Sequence, residues 1–261
     1  MAEEKYDIGS DGGIVIPKSR FSVWFENFWY HYKIHTLFAL FIILVITVCS
    51  VQMCSKEEYD VHIIYAGSED IRALREENDI SKYQTVIKSL NEAVEDFDGN
   101  GQINSSFEAM FMLTAEEIAE KKKELADLKE NGGGAYEIDE YLISQNTSLF
   151  VERITYSDTY VFLLSDSIYK MYQTVEYDVP MFASIIGLKE EGASAEFLDD
   201  YAVYLSSTEF GKLPGLADLP ENTVIVLRSA NALTSHFNRD EAVELYKNAE
   251  KVVSNMINYG N

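Results

Sequence analysis

The chain has 261 residues, 47% of them hydrophobic and 13% aromatic, with 44 Asp and Glu against 21 Lys and Arg for a formal net charge of −23. From residue 57 onward 39 acids face 16 bases, so this part carries the whole excess, and its surface argues against nucleic acid and anionic lipid as partners. The two cysteines, Cys49 and Cys54, lie five residues apart on one apolar run; about 140° of helix separates them, which excludes a disulfide between them.

That run, Thr36 to Cys54, is nineteen residues without a charge, the length a helix needs to cross a ~30 Å hydrocarbon layer. It is apolar all round from Leu37 to Val48, unlike a core helix with one buried face. The reading is a transmembrane helix over 36–54. About 35 residues precede it, too many for the leader of a cleaved signal peptide, so the helix is predicted to stay as an anchor. Lys18, Arg20 and Lys33 on one side outweigh Lys56 on the other, which predicts a cytoplasmic N-terminus. Within the tail, 1–35, the segment FSVWFENFWYHYKIH supplies Trp24, Trp29, Tyr30 and Tyr32 and is predicted to lie along the inner membrane surface before the span begins.

Residues 55–261 then form the extracytoplasmic part. It has no cysteine, which leans towards a bacterial cell surface. YDVHIIYAG reads as a buried strand ending in Gly67, and a helix follows in which Ser81 and Gln84 form a capping box. SSFEAMFML is the next strand, and Thr114 with Glu117 caps a second helix stopped by NGGG. A third helix, about 138–156, leads into DTYVFLLSD, apolar as an interior parallel strand is, and then into the short helix SIYKMYQ. Residues 174–200 lack periodicity and read as a loop-rich excursion. YAVYLSS and TVIVLRSA are two more strands, and a closing helix puts Ala242, Leu245, Tyr246, Ala249, Val252, Val253 and Met256 on one face. The alternation predicts an α/β fold: a three-layer sandwich around a mixed, mainly parallel five-stranded sheet near 61–66, 105–113, 159–165, 202–207 and 223–228, with the first strand between the second and third.

The stretch DFDGNGQIN places Asp96, Asp98 and Asn100 at positions 1, 3 and 5 of a calcium loop, Gly101 at the sharp turn, Gln102 at the carbonyl position and Asn104 at position 9. Position 12 should be a bidentate Glu and is Phe107; Glu108 comes one residue late and points to the opposite face of its strand. Two readings stand: a weak structural calcium site, or a helix-to-strand turn in which Gly99 and Gly101 supply unusual backbone angles and the Asx side chains bond the local backbone. No other cofactor is called for. No zinc-spaced histidines, G-x-S-x-G, phosphate-cradling glycine loop or cysteine nucleophile occurs in the exported part, so the chain reads as non-enzymatic. Asn104-Ser-Ser and Asn146-Thr-Ser are glycan acceptors only in a eukaryotic secretory route.

The order of these elements, with DTYVFLLSDSIYKMY and LPGLADLPENTVIVLRSA, resembles one lobe of the type II periplasmic binding proteins, the extracellular solute-binding family. The likeness covers roughly residues 59–258. It implies a membrane-anchored, solute-binding-like module whose ligand sits beyond the carboxyl ends of the strands, where AGSED and SDSIY supply Gly67, Ser68, Ser165, Asp166 and Ser167. Those serines and the aspartate are also ordinary helix caps. Solute-binding proteins of this type have two lobes, whereas 203 residues allow one, so the alternative is an envelope scaffold or protein-interaction domain that keeps the fold without a pocket. The partners implied are the bilayer through 36–54 and a small solute or an envelope protein, and not nucleic acid.

Overall fold

The computed structural model describes residues 19–54, 59–71, 80–130, 138–173, 180–230 and 239–261. Contacts divide the chain between Glu57 and Glu58, and the two parts are described separately.

The first part is one helix, α1 (Arg20–Cys54), of 35 residues. It is apolar and long enough to cross a membrane. Ser19 begins it, its Oγ accepting from the Ser22 N–H at 3.2 Å. Thr47 turns its hydroxyl back onto the Ile43 carbonyl at 2.8 Å, so that hydrogen does not face outward in the apolar stretch. The aromatic segment 21–35 is continuous with the apolar run in this single helix, where the sequence suggested a separate piece ahead of it. Nothing in 21–35 is a proline or glycine that would break the helix.

The second part runs β1 (Val61–Gly67), α2 (Ile80–Asn91), β2 (Ser105–Phe111), α3 (Ala115–Glu130), α4 (Glu140–Tyr156), β3 (Val161–Ser165), α5 (Asp166–Tyr172), β4 (Phe197–Asp199), β5 (Ala202–Tyr204), β6 (Thr223–Leu227) and α6 (Arg239–Ile257). The strands form one mixed sheet in the order β2-β1-β3-β6-β5-β4. β1 is parallel to both β2 and β3, as the alternation of helices and strands requires. The sheet has six strands rather than five, and its other three pairings, β3–β6, β6–β5 and β5–β4, are antiparallel, so it is not mainly parallel.

The reason lies in the connections. A parallel return needs a crossover that carries the chain to the other end of the sheet. Between β5 and β6 the chain instead makes short 3₁₀ turns at Leu205–Ser207 and Phe210–Lys212 and re-enters at the edge it left, with the Asp166 N–H on the Asn222 carbonyl at 2.9 Å. β4 falls within the stretch read as a loop. It is three residues long and half-buried, and it pairs with β5 through Phe197 and Val203.

Side-chain alternation sends two sets of residues to opposite faces. On one face Ile63, Phe107, Leu163 and Ile225 pack under α2 and α6, through Leu90, Val252, Val253 and Met256. On the other Ile64, Met110, Phe162 and Val226 pack under α4 and α5, through Phe150, Ile154, Ile168 and Tyr169. Burying a residue of this size stabilises by roughly 1.5–3 kcal/mol. Tyr169 also donates its hydroxyl hydrogen to Asp199 Oδ2 at 2.6 Å, and Gln173 and the Tyr201 N–H bind the same carboxylate, which fixes β4 to α5.

Two further features close the domain. Three backbone groups of the edge strand β2 are taken by side chains: Asn91 accepts from the Ser105 N–H at 3.0 Å, Tyr83 donates to the Phe107 carbonyl, and Asn146 donates to the Phe111 carbonyl at 2.9 Å. These plugs protect an edge that would otherwise template another strand. Asn146 is therefore buried and bonded, which removes it as a glycan acceptor in the folded chain. At the end of β6 the fully buried Arg228 caps α4, donating to the carbonyls of Ile154 at 3.1 Å and Ser157 at 2.6 Å. Its guanidinium lies 4.5 Å from the Tyr160 ring centre. A cation here meets the negative end of the helix and satisfies carbonyls that have no helical partner.

Candidate functional site

The parallel strands give the sheet a carboxyl edge, where β1 and β3 end, and an amino edge, where β1 and β2 begin. The sequence placed a solute site at the first and a cation loop at the second.

At the carboxyl edge β1 and β3 are neighbours, so Gly67 with Ser68 and Ser165 with Asp166 and Ser167 do lie on one side of the sheet. Ser165 is the N-cap of α5, and its Oγ accepts from the Ile168 N–H at 3.4 Å. The same hydroxyl lies 3.0 Å from Ser167 Oγ. Ser167 donates to Glu117 Oε1 at 2.8 Å, and Glu117 Oε2 accepts from the Thr114 N–H at 2.6 Å. Thr114 Oγ1 returns the bond, accepting from the Glu117 N–H at 3.2 Å, which completes the capping box read from the sequence. One hydrogen-bonded chain thus joins the caps of α3 and α5. The Ser81–Gln84 box falls where Ser81's side chain lies outside the described residues.

Asp166 is engaged as well. Its Oδ1 accepts from Asn222 Nδ2 at 3.0 Å and its Oδ2 from Lys170 Nζ at 2.8 Å. Partial burial alone would raise its pKa, but the bonds from Lys170 and Asn222 outweigh it and hold the carboxyl below its ordinary value. Gly67 sits beneath the ring of Tyr65: a Cβ at Gly67 would come within 2.6 Å of Tyr65 Oη. Burial pushes that phenol well above its ordinary range. Ser68 is half-buried in the turn that follows. Glu117 and Asn222 are the members of this edge that sequence reasoning missed. Each comes from a distant segment, and Glu117 already had a sufficient local role as a cap.

At the amino edge the loop after α2 folds on itself. Asp96 accepts from the N–H groups of Asn100 at 3.0 Å and Gly101 at 2.8 Å, Asp98 accepts from the Asn100 N–H at 2.9 Å, and Asn100 Oδ1 accepts from the Gln102 N–H at 2.7 Å. Gly99 and Gly101 take φ of +72° and +82°, the left-handed values for which glycine is suited. The Gly101 N–H holds the Asp96 carboxyl below its ordinary value.

Asp60, which the sequence reading did not single out, organises the loop from beneath. It is 5% exposed, and it accepts from the N–H groups of Phe97 at 2.8 Å and Asn104 at 2.9 Å. Its ligand oxygen lies within 4.8 Å of those of Asp96 and Asp98, and among the described residues these three form the one acidic group of metal-binding spacing. An acid just before a strand carries no signal that it will serve a loop 36 residues on. Phe107 is buried in the core and Glu108 pairs with Arg153 at 3.2 Å on the other face, so neither completes the loop. Three carboxylates and Asn100 fall short of the six to eight oxygens that calcium takes, and an ion here would draw the rest from carbonyls and water.

No family model matches the chain, and no curated protein or solved structure matches it.

Proposed function

We propose that this is a single-pass membrane protein whose C-terminal α/β domain stands outside the cytoplasm as a non-enzymatic interaction module for another envelope protein. The observation that carries this reading is the closed carboxyl edge: Ser165, Ser167 and Glu117 bond one another, and Asp166 is held by Lys170 and Asn222. Groups that a solute would need are used to tie α3 and α5 to the sheet. Opening them would leave buried or half-buried polar atoms without partners, at about 1–3 kcal/mol each.

Solute binding is the second reading, favoured by the neighbouring ends of β1 and β3, which put Gly67–Ser68 and Ser165–Ser167 on one edge as the resemblance to solute-binding lobes implies. The test is to melt the full chain, held in lipid nanodiscs, against a panel of amino acids, sugars, short peptides and inorganic anions. The interaction reading expects no member to shift the transition. A shift that Ser68→Ala or Ser165→Ala removes, without lowering the ligand-free transition, would establish a solute site in its place.

A further inference from the structure

The helix α1 is too long for the membrane it would cross. Thirty-five residues rise about 52 Å, of which the nineteen from Thr36 to Cys54 take about 28 Å and match the hydrocarbon layer. The sixteen from Arg20 to His35 add about 24 Å, while the headgroup layer of one leaflet is only about 5–8 Å deep. An average tilt of ~20° shortens this projection by only about 6%.

That projecting stretch is not a polar stalk. At about 100° per residue Phe21, Trp24, Phe25, Phe28, Trp29 and Tyr32 fall within an arc of roughly 140°. Their rings already stack along the axis: Trp24 on Phe28 at 5.6 Å, Phe25 on Trp29 at 6.0 Å and Phe28 on Tyr32 at 5.4 Å between centroids. Phe21 is 71% exposed and Trp24 59%. Tyr32 lies about 6 Å beyond the span, at headgroup depth, but Phe28, Phe25, Trp24 and Phe21 stand about 12–22 Å beyond it, where lipid does not reach.

We propose that this stripe is the interface of a parallel homodimer, with the same stripe of a second copy covering it. Two copies anchored in one membrane hold their stripes at the same depth and in the same direction, so an isologous contact has its register set by the anchor. Charge does not oppose it. Arg20, Glu26 and Lys33, the charged residues of this stretch, each stand more than about 100° from the stripe's midline. If a parallel pair covers about half of the ~150–250 Å² that each ring can bury, six rings from each copy remove on the order of 1,000 Å², about the least that a biological interface buries.

The inference rests on α1 crossing the membrane, and the experiment separates the two. In full-length chain with Cys49→Ser and Cys54→Ser, single cysteines are placed by Phe25→Cys on the stripe and by Tyr30→Cys on the opposite face, and the membranes are mildly oxidised. Phe25→Cys is expected to give several-fold more disulfide-linked dimer than Tyr30→Cys, and adding Trp24→Ala with Phe28→Ala is expected to remove the difference. Equal yields from the two positions would overturn the dimer, as would disulfides to a different protein, or a monomeric chain whose tryptophan fluorescence is quenched by lipids labelled at headgroup depth. Extraction with alkaline carbonate reads the anchor itself: release of the chain would overturn the membrane reading, whereas retention without face-selective linkage would overturn the dimer alone.

Discussion

Ser167 donates its hydroxyl hydrogen to Glu117 at 2.8 Å across fifty residues of sequence, joining the first turn of α5 to the first turn of α3. Glu117 answers two donors at once, since its second oxygen caps the Thr114 N–H. Glu117→Ala is therefore expected to lower the unfolding free energy by about 1–3 kcal/mol, more than an ordinary exposed cap, because it also removes the acceptor of the Ser167 hydroxyl and leaves that group only Ser165. Glu117→Gln keeps the acceptor oxygen and should recover part of that. Urea unfolding of the two variants and wild type measures it; equal midpoints would mean that the link carries no stability.

Arg228 is the largest fully buried side chain among the described residues, and burial draws its pKa below the ordinary arginine value. What keeps it there is the fork of donors on the α4 carbonyls and the stacking on Tyr160. Arg228→Lys retains a cation but cannot serve the carbonyls of Ile154 and Ser157 together, and Arg228→Met serves neither. Both are expected to cost about 2–4 kcal/mol, with lysine no better than methionine. Stability close to wild type in Arg228→Lys would show that charge at the helix end suffices.

These two positions also mark how far the sequence could be read. The apolar runs of β1, β3 and β6 were legible because burial on both faces leaves almost no polar residue in them, and the box at Thr114 and Glu117 was legible because its partners are three residues apart. The direction of β6 was not, since TVIVL buries every residue whichever way it runs. β4 was hidden by its three half-buried residues, and Arg228 by the rule that a charge at the end of a strand lies in solvent. At the site, each helix cap could be read locally. The bonds between caps could not, because they depend on which segments the fold brings together.

Asp166 supplies a pH dependence whose sign follows from its depressed pKa. The stability it contributes is fully present above the ordinary aspartate value of 3.8 and is lost as pH falls from there through the lower folded value. The gap in unfolding free energy between wild type and Asp166→Asn should accordingly be constant near neutrality and narrow below about pH 4. Denaturant series at steps between about pH 6 and pH 3 check this. A gap that does not change with pH would mean that Asp166 acts by its hydrogen bonds to Asn222 and Lys170 without its charge.

Asp60 holds the 96–104 loop by three backbone N–H groups, those of Phe97, Asp98 and Asn104. Asp60→Ala leaves them without an acceptor and is expected to destabilise the chain by about 2–3 kcal/mol in the presence of chelator, with no ion involved. A calcium site of the weak extracellular class, Kd ~10⁻⁴–10⁻³ M, would add about 1.5–3 kcal/mol at about 10 mM calcium. That increment should appear in wild type and vanish in Asp96→Ala. Melting that is the same with calcium and with chelator would leave the loop as a turn held by Asp60.

The charges that flank the apolar run predict an orientation. Lys18, Arg20 and Lys33 precede it, and Lys56 alone follows before Glu57, Glu58 and Asp60. Lysine and arginine near a span are retained on the cytoplasmic side, while acids count for little, so the balance is three to one for a cytoplasmic N-terminus. The acidic domain, with 39 acids against 16 bases from residue 57, would then be the part carried across. A reporter enzyme active only outside the cytoplasm should work when fused after Asn261 and fail when fused at residue 2. Reversing the balance with Lys18→Glu, Arg20→Glu and Lys33→Glu should reduce the first signal and raise the second. The opposite pattern in the wild type would place the α/β domain in the cytoplasm and remove the envelope partner from the proposal, while leaving the sheet, its caps and the aromatic stripe as they stand.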